Sequence, residues 1–200
     1  MKAAPVGRIL RWWPWAVLAL VAALVVGLGG FNQRSDRNVV AAPGEELNSQ
    51  DLVFTLSQAT AQHVTSPYAD PYWEIVLLGT VRNPHDEDLV PISGEYGHFA
   101  LKDPGSGEVE VWNGAGLSLD GDPLRTSVPP GNGTMAMSVP VTFADAYAPG
   151  PEILVAVAQM EYTDNVVLGL DGGQRHWNID STVPPWLVTL PVTELPERRG

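Results

Sequence analysis

The sequence predicts an all-β fold, an antiparallel β-sandwich, preceded by one N-terminal transmembrane helix. Three observations lead there. Trp12–Phe31 is free of charge over a length that crosses a bilayer. Seven short runs rich in Val, Thr, Leu and aromatics follow, separated by clusters of Gly, Pro, Asn and Asp. Beyond the first segment no stretch has the apolar spacing of an amphipathic helix.

Residues 1–11 read as a basic cytoplasmic tail and 12–31 as the membrane helix. At 1.5 Å per residue the helix is about 30 Å long, the thickness of a hydrocarbon core. Trp12, Trp13 and Trp15 beside Arg8 and Arg11 mark one interface, and Pro14 falls in the first turn, where a missing N–H costs little. Lys2, Arg8 and Arg11 precede the helix with no acid among them, which sets the N-terminus inside. The competing reading is a cleaved signal peptide, with Gly27-Leu28-Gly29 and Val40-Ala41-Ala42 as small-x-small sites. Ala19, Ala23 and Gly27 share a helix face, a spacing that a residue pool rich in Ala and Gly also produces by chance.

Residues 32–46 read as a polar linker and 47–200 as the extracytoplasmic sandwich. The expected strands are Asp51–His63, Trp73–Asn83, Tyr96–Lys102, Val109–Asn113, Thr134–Phe143, Glu152–Thr163 and Trp186–Thr193. In Trp73–Asn83, alternation puts Trp73, Ile75, Leu77, Gly79 and Val81 on the core face and Glu74, Thr80 and Arg82 on the other. Asp103-Pro104-Gly105-Ser106-Gly107 is a hairpin turn between the third and fourth runs. Pro184-Pro185 and Pro191 point to an edge position for the last run.

Charge separates the same two environments. Residues 1–37 hold five basic side chains against Asp36, a balance of +4; residues 38–200 hold six basic against 22 acidic ones, −16. So acidic a domain repels nucleic acid and anionic head groups. The absence of cysteine excludes disulfides, thiolate metal sites, cysteine catalysis and a lipidated cysteine. Lysine occurs only at positions 2 and 102, which leaves little room for a Ser–Lys dyad.

Four segments recur in a recognisable order: GEELNSQDLVFT at Gly44–Thr55, YWEIVLLGTVRN at Tyr72–Asn83, FALKDPGSGE at Phe99–Glu108 and VPPGNGTMAMSVPVTF at Val128–Phe143. Together they resemble the anchored extracellular immunoglobulin-like domains of Gram-positive, above all actinobacterial, bacteria that are commonly named after telomeric repeat-binding factor. The resemblance covers Gly44 to Tyr162. It implies an immunoglobulin-like sandwich, a place in the cell envelope and a lipid or helical tether, and it carries over no catalytic residue. Thr163–Gly200 and the long insertion Asn113–Val128 depart from the pattern.

No G-x-S-x-G, H-E-x-x-H, P-loop or G-x-G-x-x-G is present, and His63, His85, His98 and His176 are scattered. No catalytic, metal or cofactor residue is expected. The acidic turns where calcium could bind are Asn83-Pro84-His85-Asp86-Glu87-Asp88 and Asp120-Gly121-Asp122, and neither follows the twelve-residue loop pattern. The expected interaction surface is the loops holding Trp112, Asp120 and Asp122, and Trp177 and Asp180, because loops on a rigid sheet carry binding more often than core strands do. The expected function is that of a membrane-anchored, non-catalytic interaction or accessory module. Its expected partners are the bilayer, through residues 12–31, and an envelope protein. The alternatives are a glycan or small-ligand module using the loop tryptophans and, less favoured, an envelope hydrolase.

Overall fold

The computed structural model describes residues 39–92, 97–167 and 170–199, with side chains throughout except at 164–176. The predicted membrane helix, 12–31, lies outside the described residues. Within them the chain forms strands and no helix. These are β1 (Val39–Ala41), β2 (Glu46–Asn48), β3 (Val53–Ser66), β4 (Ala69–Arg82), β5 (Val90–Pro91), β6 (Phe99–Lys102) and β7 (Val109–Val111). They continue as β8 (Ser118–Leu119), β9 (Ser127–Val128), β10 (Thr134–Ala144), β11 (Glu152–Val157), β12 (Met160–Val167), β13 (Leu170–Ile179) and β14 (Trp186–Arg199).

Two sheets pack as a sandwich. The first runs β7-β6-β11-β14-β1, the second β14-β3-β4-β10-β8, with β2 beside the start of β3. Strand β14 belongs to both: Trp186–Pro191 pairs antiparallel with β11, and the chain from Val192 onward runs parallel to β3. The pairing of β1 with β14 is also parallel. These two pairings break the antiparallel pattern that the sequence led us to expect.

The edge position expected for the last strand holds only in part. Trp186–Val188 is flanked on both sides, by β1 and β11. The ladder to β1 ends at Val188, so the missing N–H of Pro191 falls at the crossover between sheets, where no neighbour requires it. The folded region also begins earlier than expected, because β1 lies within the stretch read as linker.

The core follows from period-two alternation. Ile75, Leu77 and Val81 on β4 are buried, as are Met135, Met137, Val139, Val141 and Phe143 on β10 and Ile153, Val155 and Val157 on β11. Trp73, expected among them, is half-buried and packs on the rim of the core. Phe54, Phe99 and Trp112 form an edge-to-face chain, with centroids 5.1 and 5.9 Å apart. Each such side chain contributes about 1.5–3 kcal/mol by leaving water. Gly79 is fixed by backbone crowding: a Cβ there would collide with the carbonyl oxygen of Thr55, next to the bulge between Leu56 and Gln58.

The run Glu152–Thr163 is two strands. The backbone N–H of Ala158 donates to the carbonyl of His98, one pair beyond the β11–β6 ladder and still in register with it, and that of Met160 turns to the carbonyl of Ser49. The chain thereby leaves the sheet, and β12 pairs only with β13 as a separate two-stranded ribbon. The hairpin predicted between β6 and β7 forms around Asp103, whose Oδ1 accepts from Gly105 N at 2.7 Å. Burial pushes the hydroxyl of neighbouring Tyr147 well above the usual phenol range, and the Asp103 carboxylate, which accepts its hydrogen bond, pushes it further.

Candidate interaction surfaces

Trp112 is not the exposed loop aromatic that the sequence suggested. It continues the alternation of β7 by one residue: Val109 and Val111 face out, and Trp112 turns in with 1% exposure. Its backbone N–H donates to Phe99 O at 3.0 Å and its indole N–H to Ala115 O at 3.1 Å. A side chain so enclosed cannot stack on a ligand.

Asp120 and Asp122 are exposed, and both carboxylates organise their own turn. Asp120 has φ of 52°, its Oδ1 accepts from Ala136 N at 2.9 Å and its Oδ2 lies 3.4 Å from Arg125. Asp122 Oδ1 accepts from Leu124 N at 2.9 Å. Among the described residues no three His, Asp or Glu side chains converge as a metal-ligand set. Near the other acidic turn, Asn83 organises the chain by donating to Asp88 O and Val128 O.

Trp177 is half-buried on β13, with its ring 4.9 Å from Tyr162 and 5.5 Å from His85. Asp180 starts the turn after β13 and accepts from Thr182 N at 2.8 Å and Thr182 Oγ1 at 2.6 Å. The hydroxyl bond, then the backbone bond, hold its carboxyl below the usual range. A carboxyl lowered in the folded state stabilises the fold above its unfolded pKa. That contribution is lost as pH falls through the folded value. We expect Thr182→Val to raise the Asp180 midpoint in a carboxyl-resolved NMR titration; an unmoved midpoint would show that these bonds do not set it.

The outer face of the second sheet carries two depressions. One, of about 400 Å³, is lined by the hydroxyl side chains Thr55, Ser57, Thr80, Ser118 and Ser138 around Leu78 and Gly79. The other, of about 230 Å³, lies where Trp112–Gly116 passes Pro140 and Thr142, and two carboxylates, Glu74 and Glu110, line it. Glu74 is already engaged, 3.1 Å from Arg198, and that bond raises the guanidinium pKa further.

The outer face of the first sheet has a different character. One cross-strand row reads Val111, Ala100, Ala156, Leu187, Val40, apolar on all five strands. Val111 and Val40 are 57% and 74% exposed, and the three between them are half-buried. The adjacent row adds Val109, Lys102, Leu154 and Thr189. Contiguous apolar surface of this kind marks contact sites. Sequence reasoning missed this face, although a signal existed. An antiparallel strand with one wet side alternates, whereas after Glu152 β11 reads Ile-Leu-Val-Ala-Val without a polar residue.

Two His–carboxylate pairs occur among the described residues. His63 Nε2 lies 2.7 Å from Asp145 at the surface. His98 Nε2 lies 2.8 Å from Asp51 Oδ2 in the interior, with side-chain exposures of 0% and 1%. Ser49 is close in the chain and equally buried, and its hydroxyl donates to Ala158 O at 2.6 Å. The three residue types of a hydrolytic triad are thus present, but sealed from solvent and from substrate.

The chain matches no family model, no curated protein sequence and no solved structure. The resemblance to the anchored envelope domains therefore rests on its four motifs, and function has to be argued from these surfaces.

Proposed function

We propose that this chain is a membrane-tethered, extracytoplasmic protein-interaction module of a bacterial envelope, without catalysis of its own, whose docking surface is the apolar outer face of the first sheet. The observation that carries the reading is the row Val111–Ala100–Ala156–Leu187–Val40 in a region of charge −16. A domain selected only for solubility would place some of those charges there. The charge-free segment 12–31 supports the tether, and two packed, mainly antiparallel sheets are what an immunoglobulin-like fold requires. Holding the domain at a membrane raises its effective concentration towards other membrane proteins, so a modest surface suffices.

The test is chemical cross-linking of the full chain in its native membrane. A discrete adduct is expected, lost in Leu187→Lys and kept in Ser138→Lys, a substitution in the hydroxyl-lined groove. An adduct indifferent to Leu187→Lys would remove this face from the function. A second reading, capture of a small cationic ligand, is favoured by the Glu74 and Glu110 carboxylates of the smaller cleft. It predicts that Glu110→Gln abolishes such binding without touching the adduct.

A further inference from the structure

We infer that the open half of the β10 edge takes up an extended basic peptide as a parallel β-strand, in the slot that Glu74 and Glu110 line. The inference deepens the second reading above, capture of a cationic ligand in that cleft, and rests on it. Strand β10 pairs with β4 from Thr134 to Ala144 without a shift of register. On its other side only Met137 and Ser138 pair with β8. On that side Ala136 also donates to Asp120 Oδ1 and accepts from Asp120 N. The backbone groups of a strand alternate between its two neighbours, so Ser138, Pro140, Thr142 and Ala144 likewise turn theirs away from β4.

From Pro140 onward no strand pairs with that edge, and Thr142 is exposed. Ala144 O is taken, accepting from Tyr147 N at 3.0 Å, and Pro140 has no N–H. The groups left without a partner among the described residues are Pro140 O, Thr142 N–H, Thr142 O and Ala144 N–H. A parallel strand uses this set and no other. One of its residues, level with Val141, bonds to Pro140 O and Thr142 N; the next but one, level with Phe143, bonds to Thr142 O and Ala144 N. An antiparallel strand would set a carbonyl against the missing N–H of Pro140 and an N–H against the occupied Ala144 O.

The slot beside these groups holds about 230 Å³ and is walled by the chain from Trp112 to Gly116. A Cβ on Gly116 would collide with Pro140 Cγ, so this wall closes the slot at its Pro140 end. Two carboxylates stand in it against one guanidinium, that of Arg198 on Glu74, a balance of −1. Glu74 is the cross-strand neighbour of Thr142, so the peptide residue level with Thr142 points to the same face and needs a basic side chain. Proline and acidic side chains are the usual protection of a sheet edge, and here they act as selection. They reject antiparallel and acidic strands and admit a basic parallel one. Main-chain bonds supply the affinity and the basic residue supplies the choice.

The probe is a fluorescein-labelled hexapeptide of alternating valine and lysine, added to the full chain in detergent micelles and read by anisotropy. In the parallel register its valines, level with Val141 and Phe143, carry the N–H groups that bond to β10, and its lysines turn theirs away. Methylating the valine backbone nitrogens should weaken binding about tenfold, whereas methylating those of the lysines, at identical charge, should leave it within about twofold. The reverse order of effects would show an antiparallel strand and overturn the register. Thr142→Pro should match the loss on valine methylation, and Pro140 shows that this edge accommodates the ring. If the two methylated peptides bind alike, no strand forms, and if Glu110→Gln still abolishes binding, capture of a cation stands alone. Binding of n-butylguanidinium, read by calorimetry, without binding of the peptide gives the same result. If neither probe binds, both readings fall. Should Thr142→Pro fail to fold, the pair of methylated peptides decides the question unaided.

Discussion

Replacing Ile75 with Asp unfolds the domain. Ile75 is fully buried on β4, paired across to Ala61 on β3 and Val141 on β10, where no polar group can receive a carboxylate. A carboxyl of ordinary pKa must take up a proton to enter such a site, which at pH 7 costs about 4 kcal/mol. Loss of the isoleucine side chain removes about 2–3 kcal/mol of hydrophobic stabilisation. Together these come to about 6–7 kcal/mol, comparable with the whole stability of a typical domain at about 5–15 kcal/mol. Circular dichroism of the full chain in detergent should show no cooperative thermal transition for Ile75→Asp. A native-like transition would mean that the register of β4, and with it the orientation of both sheet faces, is wrong.

Asp51→Ala should cost about 3–5 kcal/mol, because it leaves two buried donors without their acceptor and each such loss costs about 1–3 kcal/mol. For a domain of this size that corresponds to a fall in Tm of about 10 °C or more. The Asp51 carboxylate receives His98 Nε2 on one oxygen and Leu52 N, at 2.7 Å, on the other, so truncation strands a ring nitrogen and a backbone N–H together. These contacts tie the segment before β3 to the start of β6, and the carbonyl of His98 in turn holds Ala158 N where β11 ends. A double-mutant cycle with His98→Phe separates the pair from its surroundings. The double variant should lose less than the two single changes added together, because it removes both polar groups. Additive losses would show that the pair is not coupled.

Much of the architecture was legible in local patterning. Alternation in Trp73–Asn83 named Ile75, Leu77 and Val81 as the core face of β4, because side chains of a strand point to opposite sides whatever lies beyond them. The Asp-Pro-Gly-Ser-Gly turn named the β6–β7 hairpin, because its geometry is set within five residues. Composition alone determined the charge separation between the two ends and the absence of thiol chemistry.

Tertiary structure decided what depends on residues distant in the chain. Trp112 beside Asn113-Gly114 looks like a loop residue, and it is buried because the carbonyl of Phe99 extends the pairing of β7 to reach it. The break after Ala158 has no local signal, since the carbonyl that takes the Met160 N–H away from the sheet belongs to Ser49. Two-residue strands such as β8 and β9 exist only through their partners. The apolar row over five strands joins residues from position 40 to position 187, and no window of sequence contains it. Which residues are apolar was written in the chain. Their alignment in one exposed row was decided by strand order and register, which are long-range pairings that only the folded chain makes.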